Sequence, residues 1–243
     1  MCTVTYVSAN DARFITSSRD ERPERSVAEP PMIYEMTGGR ILMPRDGLAG
    51  GSWIVVHENR NAAVLLNGGY LPHAPNPPYR KSRGLILLDI ILADTPSRKF
   101  LDMNLHNIEP FTAVIVEQGR LMECGWDGRM KHQIRLNESS CHIWSSVTLY
   151  DKPVIEKRTR WFNSFVKEQH AFSLDTILKF HQVAGDGDKK NDLFMNRDDK
   201  VLTVSITGVE LNKSLGRMKQ LDFRLGQIHE EYLSFTRSHL AKA

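Results

Sequence analysis

Residues 1–21, MCTVTYVSANDARFITSSRDE, carry the pattern that decides the fold. Residues 3–7 and 14–16 are mostly β-branched or aromatic, and such side chains favour strands. Residues 9–11 between them have the composition of a turn. The chain is therefore predicted to begin with a β-hairpin.

Two registers of this hairpin are open. A two-residue turn at Asn10-Asp11 pairs positions whose numbers sum to 21, which places Cys2 opposite Arg19. A three-residue loop instead places Cys2 opposite Ser18. In both registers Cys2 lies at the same end of the hairpin as Arg19 and Asp20.

Cys2 has the chemistry of an N-terminal nucleophile. Removal of Met1 would put a thiol and a free α-amine on one residue, and the amine, with a pKa of about 8, can accept a thiol proton of pKa about 8.5. A neighbouring Arg19 would favour the thiolate further. The alternative is that Cys2 is a passive residue of an edge strand.

Composition narrows the class of protein. The chain has 243 residues, 41% hydrophobic and 25% charged, as expected of a globular protein that forms one domain over residues 1–243. Its 32 basic and 29 acidic residues are spread along the chain, so no nucleic-acid partner is predicted. The basic cluster at residues 80–83 is expected to be a solvated helical face.

Three cysteines without a close pair indicate a reducing compartment, and the longest apolar run, residues 84–93, is interrupted by Asp89. We therefore predict a cytoplasmic protein without a membrane span. The nine histidines form no ligand-like pair with acidic neighbours, and no Walker loop or Gly-x-Ser-x-Gly elbow is present, so no metal and no cofactor are expected.

The rest of the chain alternates between strands and helices. An irregular segment is predicted over residues 22–31, and a proline-rich loop at 71–79 would be either a pocket rim or an ordinary surface loop. From about Lys213 the apolar residues recur every three or four positions, which predicts a long amphipathic helix. That helix would pack on the sheet or on a second subunit, which leaves a homodimer open.

Further strands are predicted near 41–46, 52–56, 62–66, 111–117, 120–124, 133–136, 142–146 and 201–207, and helices near 81–94, 97–105, 151–166 and 173–181.

The strand at 142–146 carries a further group of candidate site residues. Trp144, Ser145 and Ser146 close it, and their polar groups would line a cleft or bond the neighbouring backbone.

Several motifs together resemble one family over essentially the whole chain, in the family's order. This is the NRDE family, the transport and Golgi organisation protein 2 family, and the chain is most similar to bacterial members. The family's Asn-Arg-Asp-Glu motif corresponds to Ser18-Arg19-Asp20-Glu21, so the charged part is present and the amide is replaced by serine. The motifs are MCTVTY at 1–6, SSRDE at 17–21, LAGGSWI at 48–54, LLNG at 65–68, PYRKSRG at 78–84, EPF at 109–111, WDG at 126–128, IWSS at 143–146 and TVSIT at 203–207.

The resemblance implies an α+β fold of the N-terminal-nucleophile hydrolase type, a four-layer αββα sandwich with two antiparallel sheets between helices. It also implies site residues: Cys2 as nucleophile, Arg19 and Asp20 as the pair that orients it, and Asn67 as donor to the oxyanion. The second asparagine of the related acylases corresponds to the Ser145-Ser146 region. We thus expect an amidohydrolase or acyltransferase for a small amide or thioester; the alternative is a binding or trafficking factor for lipid or haem that retains the fold.

Overall fold

Two antiparallel sheets pack face to face, and helices cover the outer face of each. The computed structural model describes residues 3–9 and 11–236, and within them each sheet has seven strands. The layers are therefore helices, sheet, sheet and helices, which confirms the predicted α+β sandwich.

The first sheet has the strand order β10-β1-β2-β12-β13-β14, with the short β11 paired to β12. Its strands are β1 Thr3–Ala9, β2 Ala12–Glu21, β10 His142–Ser145, β11 Asn196–Arg197, β12 Val201–Leu211, β13 Leu215–Asp222 and β14 Gln227–Ser234. The second sheet runs from β3 to β9 in sequence order. Its strands are β3 Glu29–Met36, β4 Gly39–Arg45, β5 Ile54–His57, β6 Ala62–Asn67, β7 Phe111–Glu117, β8 Arg120–Trp126 and β9 Lys131–Leu136.

Four helices are present in the described part of the chain, and side chains cap three of them. Helices α1 Arg83–Ile91 and α2 Pro96–Asp102 lie on the second sheet, and α3 Lys152–Glu168 and α4 Leu174–Val183 lie on the first. Ser82, Asp151 and Ser173 accept backbone N–H groups at the starts of α1, α3 and α4. None of these helices is long and apolar enough to span a membrane.

The central core lies between the sheets. Val4, Tyr6 and Ile15 of the first sheet pack against Leu42 and Val64 of the second, and all five are fully buried. Separate apolar clusters lie under α1 and α2 and under α3 and α4.

The opening hairpin has the two-residue register. Thr3 pairs with Ser18 and Ala9 pairs with Ala12, so the paired positions sum to 21, and Asp11 in the turn has a φ of 60°. The strands and the turn position are therefore confirmed for the described residues.

The predicted C-terminal helix is wrong, because residues 215–234 form the hairpin of β13 and β14. Apolar residues at intervals of three and four also fit two short strands joined by a turn, and Gly226 in that turn has a φ of 64°. β13 pairs along its length with β12, and this long-range pairing outweighs the local helical pattern.

The irregular segment predicted over 22–31 is also partly wrong, because β3 begins at Glu29. β3 is the edge strand of its sheet, where proline is tolerated, and its register shifts between Glu29 and Met32 around Pro30 and Pro31. The proline-rich segment 71–79 contains no strand or helix, as predicted.

Candidate active site

Arg19 and Asp20 are consecutive residues near the end of β2, so their side chains lie on opposite faces of the sheet. Each is only 4% exposed. Arg19 faces the second sheet, and Asp20 faces Tyr150, which precedes α3. The two predicted orienting residues are therefore held by different sets of partners.

Arg19 is fixed by an aspartate and an aromatic ring. Its Nη2 donates to Oδ2 of Asp46 at 2.9 Å, and its guanidinium carbon lies 4.9 Å from the centroid of the Trp53 ring. Arg25 donates to the same carboxylate at 3.1 Å. Burial alone would raise the pKa of Asp46, but the N–H of Ala49 and the two arginines hold it below its usual value. Asp46 is therefore ionised and orients both guanidinium groups at neutral pH.

Asp20 accepts hydrogen bonds from two hydroxyl groups. Tyr150 Oη donates to Oδ2 at 2.6 Å, and Thr203 Oγ1 donates to Oδ1 at 2.7 Å. Thr203 reaches Asp20 because β12 has a bulge between Thr203 and Ser205. In a regular strand those two residues would share one face, whereas here Thr203 lies opposite Asp20 and Ser205 lies opposite Arg19.

A buried arginine connects α3 to the start of β1. Arg158 is 0% exposed, and its guanidinium donates to Oγ1 of Thr3 and to the carbonyls of Asn191 and Asp192. Its guanidinium carbon also lies 3.7 Å from the centroid of the Tyr150 ring. Thr3, which follows Cys2 in the sequence, is thus held from α3 and paired within the sheet. Cys2 itself lies outside the described residues.

His181 lies between the hydroxyl groups of Thr5 and Ser18, and Ser18 stands where the family motif has asparagine. Nδ1 of His181 lies 2.8 Å from Oγ of Ser18, and Nε2 lies 2.8 Å from Oγ1 of Thr5. Burial, with a contribution from the charge of Arg158, lowers the pKa of His181 to about 3. At neutral pH an uncharged imidazole therefore occupies the space beside Ser18.

Asn67 ends β6 and is joined to the segment after β10. Ser146 Oγ donates to the Asn67 carbonyl at 2.8 Å and also lies 2.9 Å from Oγ1 of Thr148. The side-chain amide of Asn67 has no hydrogen-bond partner within residues 3–9 and 11–236, and it borders three cavities. An amide in that position can donate to a ligand.

The three cavities meet at Asn67. The first, the Arg19 cleft, has a volume of about 390 Å³ and is lined by Arg19, Arg25, Asp46, Lys81, Arg83 and Glu109, among others. The second, the Glu123 pocket, has about 210 Å³ and includes Tyr70, Glu123, Trp144, Ser145 and Ser146. The third, the Asp20 cavity, has about 410 Å³ and includes Asp20, His73, Arg83, Glu109 and Thr148.

The Arg19 cleft contains a backbone-only contact. A Cβ atom added to Gly51 would lie 2.4 Å from the carbonyl carbon of Gly84, and one added to Gly84 would lie 2.9 Å from the carbonyl oxygen of Ser52. Both approaches are far too close for real side chains. The bend before β5 therefore touches the start of α1 only because both residues are glycine.

The predicted site residues that the structure describes all border this group of cavities. Arg19 lines the first, Asp20 the third, Asn67 all three, and Trp144, Ser145 and Ser146 the second. The prediction for the basic cluster at 80–83 is wrong for Arg83, whose side chain is 18% exposed and pairs with Glu109 at 3.1 Å.

Sequence reasoning missed the residues that hold the site together. Asp46, Tyr150, Arg158 and Thr203 are distant in sequence from the residues they bind, so no local pattern indicates these contacts, although Thr203 begins the TVSIT motif. Glu123 was also missed, although its position in a strand that otherwise faces the core was a usable signal. Among the described residues, no group of three or more His, Cys, Asp or Glu side chains is arranged to hold a metal ion.

Comparison with solved structures identifies the same fold in proteins of very different sequence. The N-acylethanolamine-hydrolyzing acid amidase ortholog of Caenorhabditis elegans superposes with a TM-score of 0.59 at 9% identity, covering 85% of this chain and 92% of that chain. A mutant of conjugated bile acid hydrolase from Clostridium perfringens superposes with a TM-score of 0.59 at 11% identity, covering 97% of both chains. A second variant of that hydrolase gives 0.54 at 10% identity, covering 98% of this chain and 100% of that chain.

Sequence comparison with curated proteins returns no match. A family model, in contrast, matches residues 1–215, which include every predicted site residue. The chain belongs to the family described as Transport and Golgi organisation 2.

Proposed function

We propose that this protein is an N-terminal cysteine amidohydrolase or acyltransferase that acts on a small amide or thioester in the cytoplasm, with residues 1–243 as one domain. One observation carries the proposal. The amide of Asn67 has no partner in the described residues and lies where three cavities meet, and the fixed Arg19 and Asp20 line two of these cavities. Cys2 directly precedes Thr3, which is buried in β1, and β1 pairs with the strand that carries Arg19 and Asp20.

The mechanism requires that a cellular aminopeptidase first hydrolyses the Met1–Cys2 peptide bond, which leaves Cys2 with a free α-amine. The amine takes the thiol proton, and the sulfur attacks the substrate carbonyl to form a C–S bond. The side-chain amide of Asn67 donates to the oxyanion that develops on the carbonyl oxygen. The C–N or C–S bond of the substrate then breaks, the leaving group takes the proton from the α-ammonium, and an acyl thioester on Cys2 remains.

The second half resolves this thioester. Water, or another acceptor in the transferase case, gives a proton to the α-amine and attacks the thioester carbonyl. The C–S bond to Cys2 breaks, the thiol is regenerated, and the acid or the transferred acyl product leaves. Arg19 and Asp20 act as positioning residues for Cys2, since each is held by its own buried partners.

The names of the structural neighbours support this reading. One is described as an amidase ortholog and the other as a hydrolase of conjugated bile acid, and both share the sandwich on which the site is built. Their low identity limits this support to the fold.

A specific observation favours the alternative, a non-enzymatic factor that binds or carries a lipid or haem group. The resemblance places the second asparagine of the related acylases near Ser145 and Ser146, and the hydroxyl of Ser146 already donates to the backbone carbonyl of Asn67. A site that retains one oxyanion donor of two would bind a carbonyl compound without turning it over efficiently.

Intact-mass spectrometry of protein purified from cells separates these functions. We expect loss of Met1 and a single adduct after treatment with a limiting amount of a thiol-reactive acylating probe. The adduct should disappear in Cys2→Ala and persist in Cys141→Ala, because Cys141 is half-buried and burial raises the pKa of its thiol. Retention of Met1 and equal labelling of both variants would refute the hydrolase.

A second variant tests the role of Asn67. In the enzyme, Asn67→Ala should leave the rate of labelling of Cys2 by iodoacetamide within about twofold and lower thioester turnover about 10²-fold or more. A fall in both rates by the same factor would mean that Asn67 supports the fold and not the oxyanion.

A further inference from the structure

The Glu123 pocket combines apolar walls with one charged side chain. Glu123 is the only ionisable carboxyl or basic group among its described lining residues, and most of the others are apolar or aromatic. Leu66, Ile143, Val147 and Ile155 form the apolar walls. A pocket of this composition suits a compact apolar ligand that carries a charge.

Glu123 has hydrogen-bond donors but no cation. Oε1 accepts from the hydroxyl of Tyr70 at 3.0 Å, and Oε2 accepts from Nε1 of Trp144 at 2.6 Å. Within residues 3–9 and 11–236, no Lys, Arg or His nitrogen lies within 4.0 Å of either oxygen. Burial and the neighbouring Glu123 carboxylate raise the pKa of Tyr70, so its phenol stays protonated and continues to donate.

The position of Glu123 in β8 makes this carboxylate unusual. It shares a face of the strand with Leu121, which belongs to the core between the two sheets. Glu123 is half-buried, and a carboxylate beside an apolar core is less well hydrated than one in open water, which favours a positively charged partner. The two hydrogen bonds orient the carboxylate but leave its negative charge available to a ligand.

The aromatic walls can also bind a cation. Trp144 is stacked on His142 with ring centroids 5.7 Å apart, and Tyr70 packs edge-on against His132 at 5.0 Å. These contacts restrict both rings at the pocket. An ammonium group is attracted to the face of such rings by their quadrupole, in addition to the carboxylate.

We propose that the Glu123 pocket recognises an organic ammonium group. The inference rests on the proposed function in one respect: the ammonium group would belong to the substrate, whose carbonyl would lie beside Asn67 at the edge of the same pocket. The substrate class is then a small amide or thioester with a positively charged amine.

The test compares choline with its neutral isostere 3,3-dimethyl-1-butanol by isothermal titration of the full chain. We expect choline to bind at least tenfold more tightly than the isostere. Glu123→Gln, which keeps the size of the side chain, should weaken choline binding at least tenfold. The control Glu35→Gln, which removes an exposed carboxylate from the edge strand β3, should change choline binding less than twofold.

Three results would overturn the proposal: no saturable binding of choline, equal binding of choline and the isostere, or unchanged choline binding in Glu123→Gln. If Glu123→Gln does not fold, the comparison of the two ligands with the natural chain still decides. A tryptophan indole N–H signal that shifts with choline and is absent in Trp144→Phe would assign the site.

The same titration with Cys2→Ala distinguishes this proposal from the proposed function. Binding needs no nucleophile, so choline should bind this variant within twofold of the natural chain. Failure of the thiol labelling together with selective choline binding would remove the hydrolase and leave the ammonium site. Selective labelling of Cys2 without choline binding would support the hydrolase and remove the ammonium site.

Discussion

The hydroxyl of Tyr150 donates a hydrogen bond of 2.6 Å to Oδ2 of Asp20, which lies 130 positions earlier in the chain. The ring of Tyr150 also lies under the guanidinium of Arg158, whose carbon is 3.7 Å from the ring centroid. Tyr150 thus places the strand that carries Asp20 in contact with α3.

Tyr150→Phe removes the hydroxyl and keeps the ring. Asp20 then loses one of its donors in a buried place, and we expect the free energy of unfolding to fall by about 1–2 kcal/mol. Urea denaturation measures this change. Tyr34→Phe is the control, since the hydroxyl of Tyr34 donates to Glu29 at an exposed position, and it should change stability by less than about 0.5 kcal/mol. Equal losses in the two variants would contradict the assigned role of Tyr150.

Arg158→Met should lower the free energy of unfolding far more than Arg160→Met on the same helix. Arg158 is fully buried, and its removal leaves the carbonyls of Asn191 and Asp192 and the hydroxyl of Thr3 without this donor. The expected loss of unfolding free energy is about 3 kcal/mol or more. Arg160 is exposed, so its substitution should cost less than about 0.5 kcal/mol. Thermal and urea unfolding of both variants give the comparison, and a small effect at Arg158 would refute it.

Stability should fall as the pH is lowered below about 6.5, the usual pKa of histidine. Because the folded pKa of His181 is depressed to about 3, the unfolded chain binds the proton first. The stability from the neutral imidazole is therefore full above pH 6.5 and is lost as the pH falls towards 3. This residue alone should contribute a slope of about 1.4 kcal/mol per pH unit.

Urea unfolding between pH 7.0 and 4.5 measures that slope in the natural chain and in His181→Gln. All other residues are the same in both proteins, so the difference between the two slopes isolates His181. Parallel stability curves would show that His181 is not held neutral in the folded state.

Ser18→Asn restores the asparagine of the family motif but should destabilise this protein. Ser18 is fully buried and its hydroxyl contacts His181, so the larger amide has no space, and we expect a loss of about 1–3 kcal/mol. His181→Ala opens space beside position 18. The double variant should therefore lose less unfolding free energy than the two single variants lose together, with a coupling energy of at least about 0.5 kcal/mol. Additive losses, measured by urea denaturation, would mean that His181 does not limit the space available at position 18.

Local sequence patterns predicted the opening hairpin well. Its β-branched residues and the turn at positions 10 and 11 act within a few residues of one another, and β1 and β2 form as expected. For the C-terminal residues the local pattern predicts a helix, because Leu215, Met218 and Leu221 fit its period. Their strand identity depends on β12, which lies next to them in the folded sheet and supplies the pairing partners.

In the candidate site, too, local motifs are informative and long-range contacts are not predictable. The family motifs select Arg19, Asp20 and Asn67 as candidates, and the structure shows that all three border the group of cavities. Their supporting residues could not be predicted, because each contact joins elements far apart in the chain, as when Thr203 reaches Asp20. The bulge between Thr203 and Ser205 adds to this difficulty: alternation along a regular strand would have placed both hydroxyls on one face.

The contact between Gly51 and Gly84 has a consequence for how recognition in the Arg19 cleft can change during evolution. Where two glycines meet, the surface offered to a ligand consists of peptide groups, and no substitution can add a side chain there without moving the bend or α1. New specificity must therefore arise from the side chains around these two glycines, such as the exposed Leu48 and the half-buried Tyr79. A change of ligand in this cleft would then act through the surrounding side chains, while the two glycines keep the same peptide surface.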